Sequence, residues 1–284
     1  MTKKIYILLP VYNRKAVTAS FVDSLKKQTF RDYHLVLIDD GSTDGTAEMV
    51  KEAIPSVTVL RGTGGWWWAG SLQRGLNWLK DEKVADDALV LFINDDVQFD
   101  ADYLERAARL MDRKKGALVL SRTRDPKTGE ITETGVTADL RRLTFTISSS
   151  ADSINCLPTR GLFGHWGDIR RIGDFHPRLL PHYLSDYEYT IRAHKLGMKC
   201  ESSAELVIRS NEETTGYRAI KESSARTALA KLFSKKAPAN PVYWTSFIVL
   251  TVPPKWMVPG LLRIWAGGSK TIVRTIADRF ARAR

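Results

Sequence analysis

The sequence has little cysteine and no long uninterrupted apolar run. Its 284 residues include two cysteines, Cys156 and Cys200. Two thiols cannot build a disulfide framework or a four-cysteine zinc site, so we expect a reducing compartment. Residues 242–262 are apolar, but Pro253-Pro254 and Pro259 interrupt them. Adjacent prolines would leave backbone groups unsatisfied in lipid, so we expect this segment to lie on or dip into a membrane without crossing it.

The sequence also lacks the glycine-rich loops of common nucleotide-binding proteins. The turn after the first apolar run reads Pro10-Val11-Tyr12-Asn13-Arg14 and contains no glycine. This excludes the G-x-G-x-x-G dinucleotide motif, and no phosphate-binding G-x-x-x-x-G-K-[ST] loop occurs elsewhere. The apolar run at residues 5–10 is too short for a signal-peptide core and predicts a first strand.

The charge is unevenly distributed. Lys and Arg number 43 against 32 Asp and Glu, a net charge of +11. Residues 218–284 hold 13 basic and two acidic side chains and account for all of that excess, so residues 1–217 are neutral. Within this tail Ile272, Ile276 and Phe280 have helical spacing, which predicts a basic amphipathic helix bound to an anionic membrane surface. The alternative is a helix packed on its own domain or on another subunit, as in a homo-oligomer. No nucleic-acid-binding motif occurs, so we do not expect a nucleic-acid partner.

The first part of the chain alternates strand and helix patterns. Strand patterns occupy residues 5–10, 34–38, 57–60, 88–93 and 117–120, and helix patterns occupy residues 16–28, 46–54, 71–80 and 103–111. Ser42 or Thr43 is the expected N-cap of the second helix. The alternation predicts an α/β fold with a mostly parallel sheet. After residue 121 we expect an antiparallel strand at residues 140–148 and a helix at residues 184–197.

Polar clusters follow three of these strands: Tyr12-Asn13-Arg14, Asp39-Asp40 and Asn94-Asp95-Asp96. Ligands of open α/β sheets bind beyond the carboxyl ends of the strands. The adjacent carboxylates of the third cluster repel each other unless a cation or donor groups neutralise them. Mg²⁺ or Mn²⁺ shared with a diphosphate suits such oxygen ligands. The alternative is a solvated loop with capping aspartates.

Three further features have a structural and a chemical interpretation. Asp39 could accept a hydrogen bond from N3–H of uracil or thymine, or simply belong to a turn. Asp186 could be the general base for an acceptor hydroxyl, or an acidic residue favoured by a helix dipole. The tryptophans of Trp66-Trp67-Trp68 cannot all enter one core face. Either one or two pack inward and the rest support a loop, or one stacks on a base or sugar ring.

Taken in order, these motifs resemble the glycosyltransferase family 2, in particular its rhamnosyltransferase-like bacterial members. Residues 10–14, 39–46 and 94–96 look like the nucleotide-binding half of that family. Residues 160–163, 169–175 and 185–188 resemble its acceptor half. The resemblance implies a GT-A fold over residues 1–217, with a nucleotide-binding half at 1–121 and an acceptor half at 122–217, followed by the tail at 218–284. It also implies a divalent metal and inversion at the anomeric carbon.

By this resemblance Asp39 would bind the base, Asp95 the ribose or sugar, Asp96 the metal, and Asp186 would deprotonate the acceptor. Further donor-binding candidates are Pro10, Tyr12, Asn13, Arg14, Gly65, Trp67 and Asn94. The chain departs from the family pattern in three places. Asn94 replaces an acidic residue, Ser185 replaces the Glu that usually precedes the base, and Arg209 stands where many members have a metal-binding His.

The resulting hypothesis is a metal-dependent, inverting hexosyl- or deoxyhexosyltransferase that uses a UDP- or dTDP-sugar and Mg²⁺ or Mn²⁺. Its acceptor would be a hydroxyl of a lipid-linked or cell-surface glycan. The expected location is the cytoplasm, peripherally bound to the inner face of the cell membrane. The alternative is a non-catalytic nucleotide-sugar or glycan-binding module of the same fold.

Overall fold

The computed structural model describes residues 4–210, 232–235 and 237–267. The strands are β1 (Ile5–Val11), β2 (Tyr33–Asp39), β3 (Val57–Arg61), β4 (Leu89–Phe92), β5 (Val97–Phe99), β6 (Ala117–Arg124), β7 (Ile131–Glu133), β8 (Val136–Asp139), β9 (Thr144–Ile147), β10 (Leu162–His165) and β11 (Lys199–Ser210). The helices are α1 (Lys15–Lys26), α2 (Thr46–Ala53), α3 (Trp67–Asp81), α4 (Tyr103–Met111), α5 (Trp166–Ile172), α6 (Ser185–Lys195) and α7 (Pro241–Thr251). A final helix covers residues 254–267.

Within the described residues, nine strands form one mixed sheet in the order β3-β2-β1-β4-β10-β6-β11-β5, with β7 paired to β6. Strands β3, β2, β1 and β4 run parallel, as the alternation of strands and helices predicts. The later part of the chain enters the same sheet, because β10 lies antiparallel between β4 and β6. The polar clusters after β1, β2 and β4 therefore meet at one edge of three adjacent strands.

The two faces of the sheet bury alternate residues of each strand. Leu35 and Leu37 of β2 pack with α1, α2 and α4 on one face. Val36 and Ile38 pack with α3, α5 and α6 on the other. Because side chains alternate across a strand, these continuous apolar runs fill two cores at once. Burial on both faces holds the strand ends rigidly, which is what a binding edge requires.

Helix α3 approaches the sheet closely at Gly75. A Cβ atom there would lie 2.9 Å from Cδ1 of Ile38 and 3.0 Å from Cδ1 of Leu8. Only a residue without a side chain allows this separation. The helix begins at Trp67, earlier than the expected Ser71, so the tryptophans belong to its first turn.

One sequence-based expectation about local structure is wrong, and another is confirmed in part. The N-cap of α2 is Gly45, not Ser42 or Thr43. Ser42 is engaged elsewhere, since its Oγ accepts a hydrogen bond from the Asn13 amide at 2.9 Å. The antiparallel strand expected at residues 140–148 is confirmed as β9, but it starts at Thr144 because residues 140–143 form the turn of the β8–β9 hairpin.

The C-terminal helices pack partly on the body of the protein. Phe247 of α7 is fully buried in a third apolar cluster that includes Ile191 of α6 and Val136 of β8. Helix α7 ends at Thr251, just before Pro253, which cannot continue it. Across the described residues, no helix is long and apolar enough to span a membrane. The predicted amphipathic helix with Ile272, Ile276 and Phe280 lies outside the described residues.

Candidate active site

The strand-end clusters after β1 and β2 are joined by Asn13. Its backbone has a φ of 49°, a left-handed conformation that Asn tolerates better than most residues. Its backbone amide donates a hydrogen bond to Ser42 Oγ, and its side-chain Oδ1 accepts one from the backbone amide of Thr43 at 2.8 Å. The loop that begins with Asp39-Asp40 is therefore fixed against the loop after β1.

The clusters after β1 and β4 are joined by Arg14. Its Nε donates to Asp95 Oδ2 at 3.0 Å, and its terminal nitrogen donates to Asp96 Oδ2 at 3.3 Å. Thr18 of α1 also donates to Asp95 Oδ2, at 2.9 Å. One guanidinium thus balances two adjacent carboxylates, which accounts for their coexistence in a buried position.

Asp95 lies in an environment that favours additional positive charge. Burial raises the pKa of its carboxyl, Arg14 and Thr18 oppose that rise, and the neighbouring Asp96 adds to it. A pKa raised by burial and by a like charge means that the anion is under-compensated. A cation or a donor group bound at this strand end would relieve that cost.

The oxygens at this strand end fit a divalent cation shared with a ligand. Asn94 Oδ1 is buried, and none of the described residues donates a hydrogen bond to it. With Asp95 and Asp96 it offers the oxygen donors that Mg²⁺ and Mn²⁺ prefer. In the described part of the chain, no three His, Cys, Asp or Glu side chains cluster so that they could hold a metal alone. A cation here would therefore take its remaining ligands from a phosphate group or water.

Asp39 and Asp40 are adjacent but have different partners. Asp39 ends β2, and its Oδ1 accepts from the Ser42 amide at 2.8 Å. Its Oδ2 receives no hydrogen bond from any residue in the described ranges. One oxygen of Asp39 is thus available to a ligand at the sheet edge.

Asp40 binds the start of α3, a role that the sequence analysis missed. Its Oδ1 accepts from the amides of Gly64 and Gly65 at 3.0 and 3.1 Å. Its Oδ2 accepts from those of Trp66 and Trp67 at 2.8 and 3.0 Å. A helix N-terminus is a natural anion site, and here a carboxylate of the chain itself fills it. The amides of Gly65 and Trp67, both predicted to contact the donor, are therefore engaged by Asp40.

The space around Asp40 leaves no room for a larger neighbour. A Cβ atom on Gly62 would lie 2.7 Å from Asp40 Oδ1, and one on Gly41 would lie 2.9 Å from the Gly64 nitrogen. The glycines flanking the carboxylate allow the loop to close over it. The glycine-rich sequence before the tryptophans was the available signal for such a close approach.

The three tryptophans point in different directions, as the sequence requires. Trp68 is half-buried in the core, and its Nε1 donates to Thr159 Oγ1 at 3.0 Å. The Trp67 ring contacts the edge of His182, with ring centroids 5.9 Å apart. The guanidinium of Arg74 lies 5.1 Å from the centre of the Trp66 ring. Trp66 and Trp68 therefore both pack against the core on this face of the sheet, whereas Trp67 contacts the loop before α6.

Asp186 lies in the first turn of α6. The preceding Leu184 has a left-handed φ of 68°, and Ser185 Oγ donates to the His182 carbonyl at 2.6 Å. Ser185 is buried and holds the segment that enters the helix, so its position is accounted for by local structure. These contacts fix the orientation of the residue that follows.

The carboxyl of Asp186 has a strongly perturbed pKa. Burial raises it to about 6, against partial compensation from the Tyr187 amide, which donates to Oδ1 at 2.9 Å. Glu133 raises the pKa further and Arg160 lowers it. A carboxylate with a pKa near neutrality can accept a proton more readily than an ordinary one. Glu133 had no sequence signal, whereas Arg160 belongs to a motif used in the family resemblance.

Three further residues singled out in the sequence are Pro10, Tyr12 and Arg209. Pro10 pairs with Ile38 near the end of β1, and Tyr12 is 53% exposed in the loop that follows. Arg209 of β11 forms an ion pair with Asp100 at 2.7 Å. Its guanidinium is therefore engaged with a carboxylate next to β5.

Comparison with known proteins identifies the family. A model described as "Glycosyl transferase family 2" matches residues 6–153, which is more than half of the chain. A relative from Mycobacterium bovis (strain BCG / Pasteur 1173P2), named "PGL/p-HBAD biosynthesis glycosyltransferase", is 26% identical over 82% of this chain and 84% of its own length. A shorter match of 49 residues, 39% identical, covers 17% of this chain and 7% of "Glycosyltransferase GlyA" of Streptococcus pneumoniae serotype 4.

Solved structures support the fold. S. aureus TarS 1-349 in complex with UDP-GlcNAc superposes with a TM-score of 0.62 and 15% identity, over 99% of this chain and 92% of that one. Against the longer TarS chain, this chain spans 55% of the length. The mannosyltransferase PcManGT from Pyrobaculum calidifontis, in complex with GDP-Man and Mn²⁺, gives a TM-score of 0.58 and 16% identity over 100% and 81% of the two chains. The predicted α/β architecture of the GT-A type is confirmed.

The four amides around Asp40 generate a prediction about stability. In Asp40→Asn the Nδ2 group cannot accept a hydrogen bond, so two amides at the start of α3 lose their acceptor. We expect the free energy of unfolding to fall by about 3 kcal/mol, the size of losing buried bonds to a charged group. Urea unfolding followed by circular dichroism measures the change.

Asp125→Asn is the matched control. Its exposed Oδ1 alone accepts from the amides of Lys127 and Thr128, at 2.7 and 3.1 Å. An Asn side chain keeps that oxygen, so we expect a change within about 0.5 kcal/mol. Equal midpoints for the two variants would contradict the role given to Asp40.

Proposed function

Since this chain belongs to glycosyltransferase family 2, we propose that it is a metal-dependent, inverting hexosyl- or deoxyhexosyltransferase. Its donor is a UDP- or dTDP-sugar, and its acceptor is a hydroxyl of a lipid-linked or cell-surface glycan. The observation that carries the proposal is the carboxyl of Asp186, whose pKa burial raises to about 6. This residue lies in the first turn of α6, which follows the proposed nucleotide-binding half in the sequence.

The donor nucleoside binds at the ends of β1 and β2. The unoccupied oxygen of Asp39 accepts the N3–H of a pyrimidine, and the exposed ring of Tyr12 covers the base or ribose. Pro10 and Asn13 shape the loop beneath them. A pyrimidine nucleotide is supported by the structures of S. aureus TarS 1-349 in complex with UDP and with UDP-GlcNAc.

The diphosphate binds beside the end of β4. Asp96, with Asn94 Oδ1, holds the divalent cation, and Asp95 binds the ribose or the donor sugar. When bound, the cation supplies Lewis-acid stabilisation of the departing nucleoside diphosphate. Arg14 contacts both carboxylates and fixes their orientation, and a guanidinium at this strand end suits a diphosphate ligand. Two structures of similar fold, those of PcManGT and GalNAc-T7, contain Mn²⁺.

Transfer is a single displacement at the anomeric carbon. Asp186 accepts the proton of the acceptor hydroxyl as the acceptor oxygen forms its bond to the anomeric carbon. The bond between that carbon and the diphosphate oxygen breaks, and the electron pair leaves with the nucleoside diphosphate. One base and one displacement invert the anomeric configuration.

Residues 218–284 bring the enzyme to an anionic membrane, where a lipid-linked acceptor would be found. Their net charge is +11. The final helix carries Val258, Leu262 and Trp265 on one side, 64, 68 and 46% exposed. Its other side contacts the body, since Arg263 donates to the carbonyl of Arg142 at 2.6 Å. Exposed apolar side chains beside basic ones are typical of helices that bind the membrane interface.

The role of Asp186 predicts opposite effects on activity and stability. Asp186→Asn should lower transfer by about 100-fold or more, because the amide cannot accept the proton. UDP binding by calorimetry should be unchanged.

Since the pKa of Asp186 is raised in the folded state, ionisation at high pH destabilises the protein. The variant should therefore be more stable than wild type at pH 8, by about 2 to 3 kcal/mol at about 1.4 kcal/mol per pKa unit.

That gain in stability has a defined pH window. It should shrink as the pH falls through about 6 and vanish below about pH 3, where Asp186 is protonated in both the folded and the unfolded state. Asp174→Asn is the control, because Lys80 lowers the pKa of that carboxyl and its removal cannot stabilise the protein at pH 8. Wild-type turnover in Asp186→Asn would refute the assignment of the base.

The role of Asp96 predicts a loss of metal-dependent binding. Wild-type protein should bind UDP about tenfold or more tightly with Mn²⁺ than without it, and Asp96→Asn should lose that gain. Asp125→Asn should keep it. Calorimetric titration of UDP with and without Mn²⁺ measures both, and an unchanged gain in Asp96→Asn would exclude a role for Asp96 in metal binding.

The membrane proposal predicts sensitivity to a single exposed leucine. Deleting the whole tail would uncover the buried Phe247, so a point variant is the better test. Leu262→Gln should weaken co-sedimentation with phosphatidylglycerol vesicles by about tenfold, the effect of losing roughly 1.4 kcal/mol of apolar burial. Ile147→Gln, 64% exposed on β9, is the control. Equal vesicle binding by both variants would contradict the assignment of this helix.

A further inference from the structure

A cavity of about 590 Å³ lies between α3, the loop before α6 and the start of α7. Its lining includes Trp66, Arg74 and Asn77 from α3 and the turn before it, Arg178 from the loop, Lys235, and Tyr243 of α7. A volume of this size suits a small ligand or one segment of a larger one. The donor-site residues Asp39, Asp95 and Asp96 do not line it.

The lining of this cavity is cationic. Arg74, Arg178 and Lys235 all contribute to it, and no Asp or Glu does. Within the described ranges none of these three side chains forms an ion pair with a carboxylate. Arg14, Arg170 and Arg192, by contrast, each form one. Three uncompensated positive charges around one concave surface favour an anionic ligand.

Asn77 adds an uncharged hydrogen-bond donor to the lining of the cavity. Gln73 uses its Oε1 to accept from the Phe175 amide at 2.7 Å and donates its Nε2 to Asn77 Oδ1 at 2.9 Å. The acceptor oxygens of both amides are therefore occupied. The Nδ2 of Asn77 donates to no group among the described residues, so this side chain adds a hydrogen-bond donor to the three cations.

Aromatic rings border the charged groups. The guanidinium of Arg74 lies 5.1 Å from the centre of the Trp66 ring, and the ammonium of Lys235 lies 5.6 Å from that of Trp67. These contacts hold the two cations at the cavity without neutralising them. Trp66 and Tyr243 are only half-buried, and their ring faces suit a sugar or an apolar chain attached to the anion.

The cavity adjoins both parts of the proposed reaction. Gly65 and Trp66 line it, and their amides bind Asp40 at the end of β2. On the opposite side, the Pro181 carbonyl accepts from the Ala69 amide at 3.0 Å, and the chain runs from Pro181 directly into the helix of Asp186. The cavity is thus bounded by the loop that Asp40 fixes and by the loop that leads to Asp186.

We propose that this cavity binds the phosphate-bearing part of the acceptor. Arg74 and Arg178 bind phosphate oxygens through their planar guanidinium groups, and Lys235 adds a third positive charge. The rings of Trp66 and Tyr243 pack on the group that the phosphate carries. The assignment of this ligand to the acceptor rests on the proposed function, whereas the expected affinity for phosphate rests on the cavity alone.

The test is calorimetric binding of inorganic pyrophosphate and of farnesyl diphosphate, with UDP and Mn²⁺ at saturation to occupy the donor site. The double variant Arg74→Gln/Arg178→Gln should bind both probes at least about tenfold more weakly than wild type, since each guanidinium makes charge-assisted bonds. Arg74→Lys/Arg178→Lys keeps the charge but loses the planar fork, and should fall between the two. Melting temperatures verify that each variant is folded.

Arg109→Gln/Arg113→Gln is the matched control, because both arginines are exposed at the end of α4 on the other face of the sheet. Wild-type affinity for pyrophosphate in the Arg74/Arg178 variant, or an equal loss in the control, would overturn the proposal. Tighter binding of farnesyl diphosphate than of pyrophosphate would support a lipid-borne phosphate, and equal binding a phosphate recognised alone. Loss of binding to phosphatidylglycerol vesicles without loss of either soluble probe would instead mark a membrane contact and overturn it.

UDP titrations on the same samples separate this proposal from the proposed function. If wild-type protein fails to bind UDP while the Arg74/Arg178 variant still loses pyrophosphate, the donor assignment is wrong and the cavity assignment stands. If UDP binds equally to wild type and variant while pyrophosphate binding is unaffected, the cavity assignment alone is wrong.

Discussion

The carboxylate of Asp40 is the contact on which the rest of the site depends. One buried side chain at the end of β2 accepts four successive amides and thereby fixes where α3 begins. That loop carries Trp66 to the cationic cavity and Trp67 to His182, in the segment that leads to α6. Asp40 thus positions the loop that lies between the strand ends and the segment leading to Asp186. Since Asp40 fills the anion site at the start of α3, the proposed donor site places the diphosphate at the end of β4 instead.

The acidic residues of the site lie in two different electrostatic environments. Asp95 and Asp96 share the guanidinium of Arg14, which offsets the repulsion between them. No Lys or Arg in the described part of the chain forms an ion pair with Asp186, and burial raises the pKa of its carboxyl to about 6. Pairs of carboxyl groups in different environments are typical of sites that divide binding and proton transfer between them. The proposed roles of the β4 end and of α6 use that difference.

Much of this arrangement could be predicted from the sequence, because apolar periodicity determines which strands are buried. The strands ending before Tyr12, Asp40 and Asn94 and the whole of α4 were predicted within a residue or two. The roles of Asp39 and Asp40 could not be separated, since adjacent residues on a strand face opposite ways and no pattern tells which carboxylate meets the amides of a distant loop. The start of α3 was placed too late: Trp67 begins the helix with a left-handed φ of 57° and donates its amide to Asp40, a contact between distant segments. The charge of Glu133 raises the pKa of Asp186 although the two residues lie far apart in the sequence, so no local pattern could indicate it.

The proposed mechanism depends above all on Asp186, whose carboxylate accepts the proton of the acceptor hydroxyl. The pH dependence of nucleoside diphosphate release by the wild-type enzyme, with donor, acceptor and Mn²⁺ at saturation, tests that role. We expect a single ionisation near pH 6, with the rate falling about tenfold per pH unit below it because the protonated carboxyl cannot act as a base. A rate that stays constant from pH 8 to about pH 5 would contradict it, since a group with a perturbed pKa would then play no part in the step.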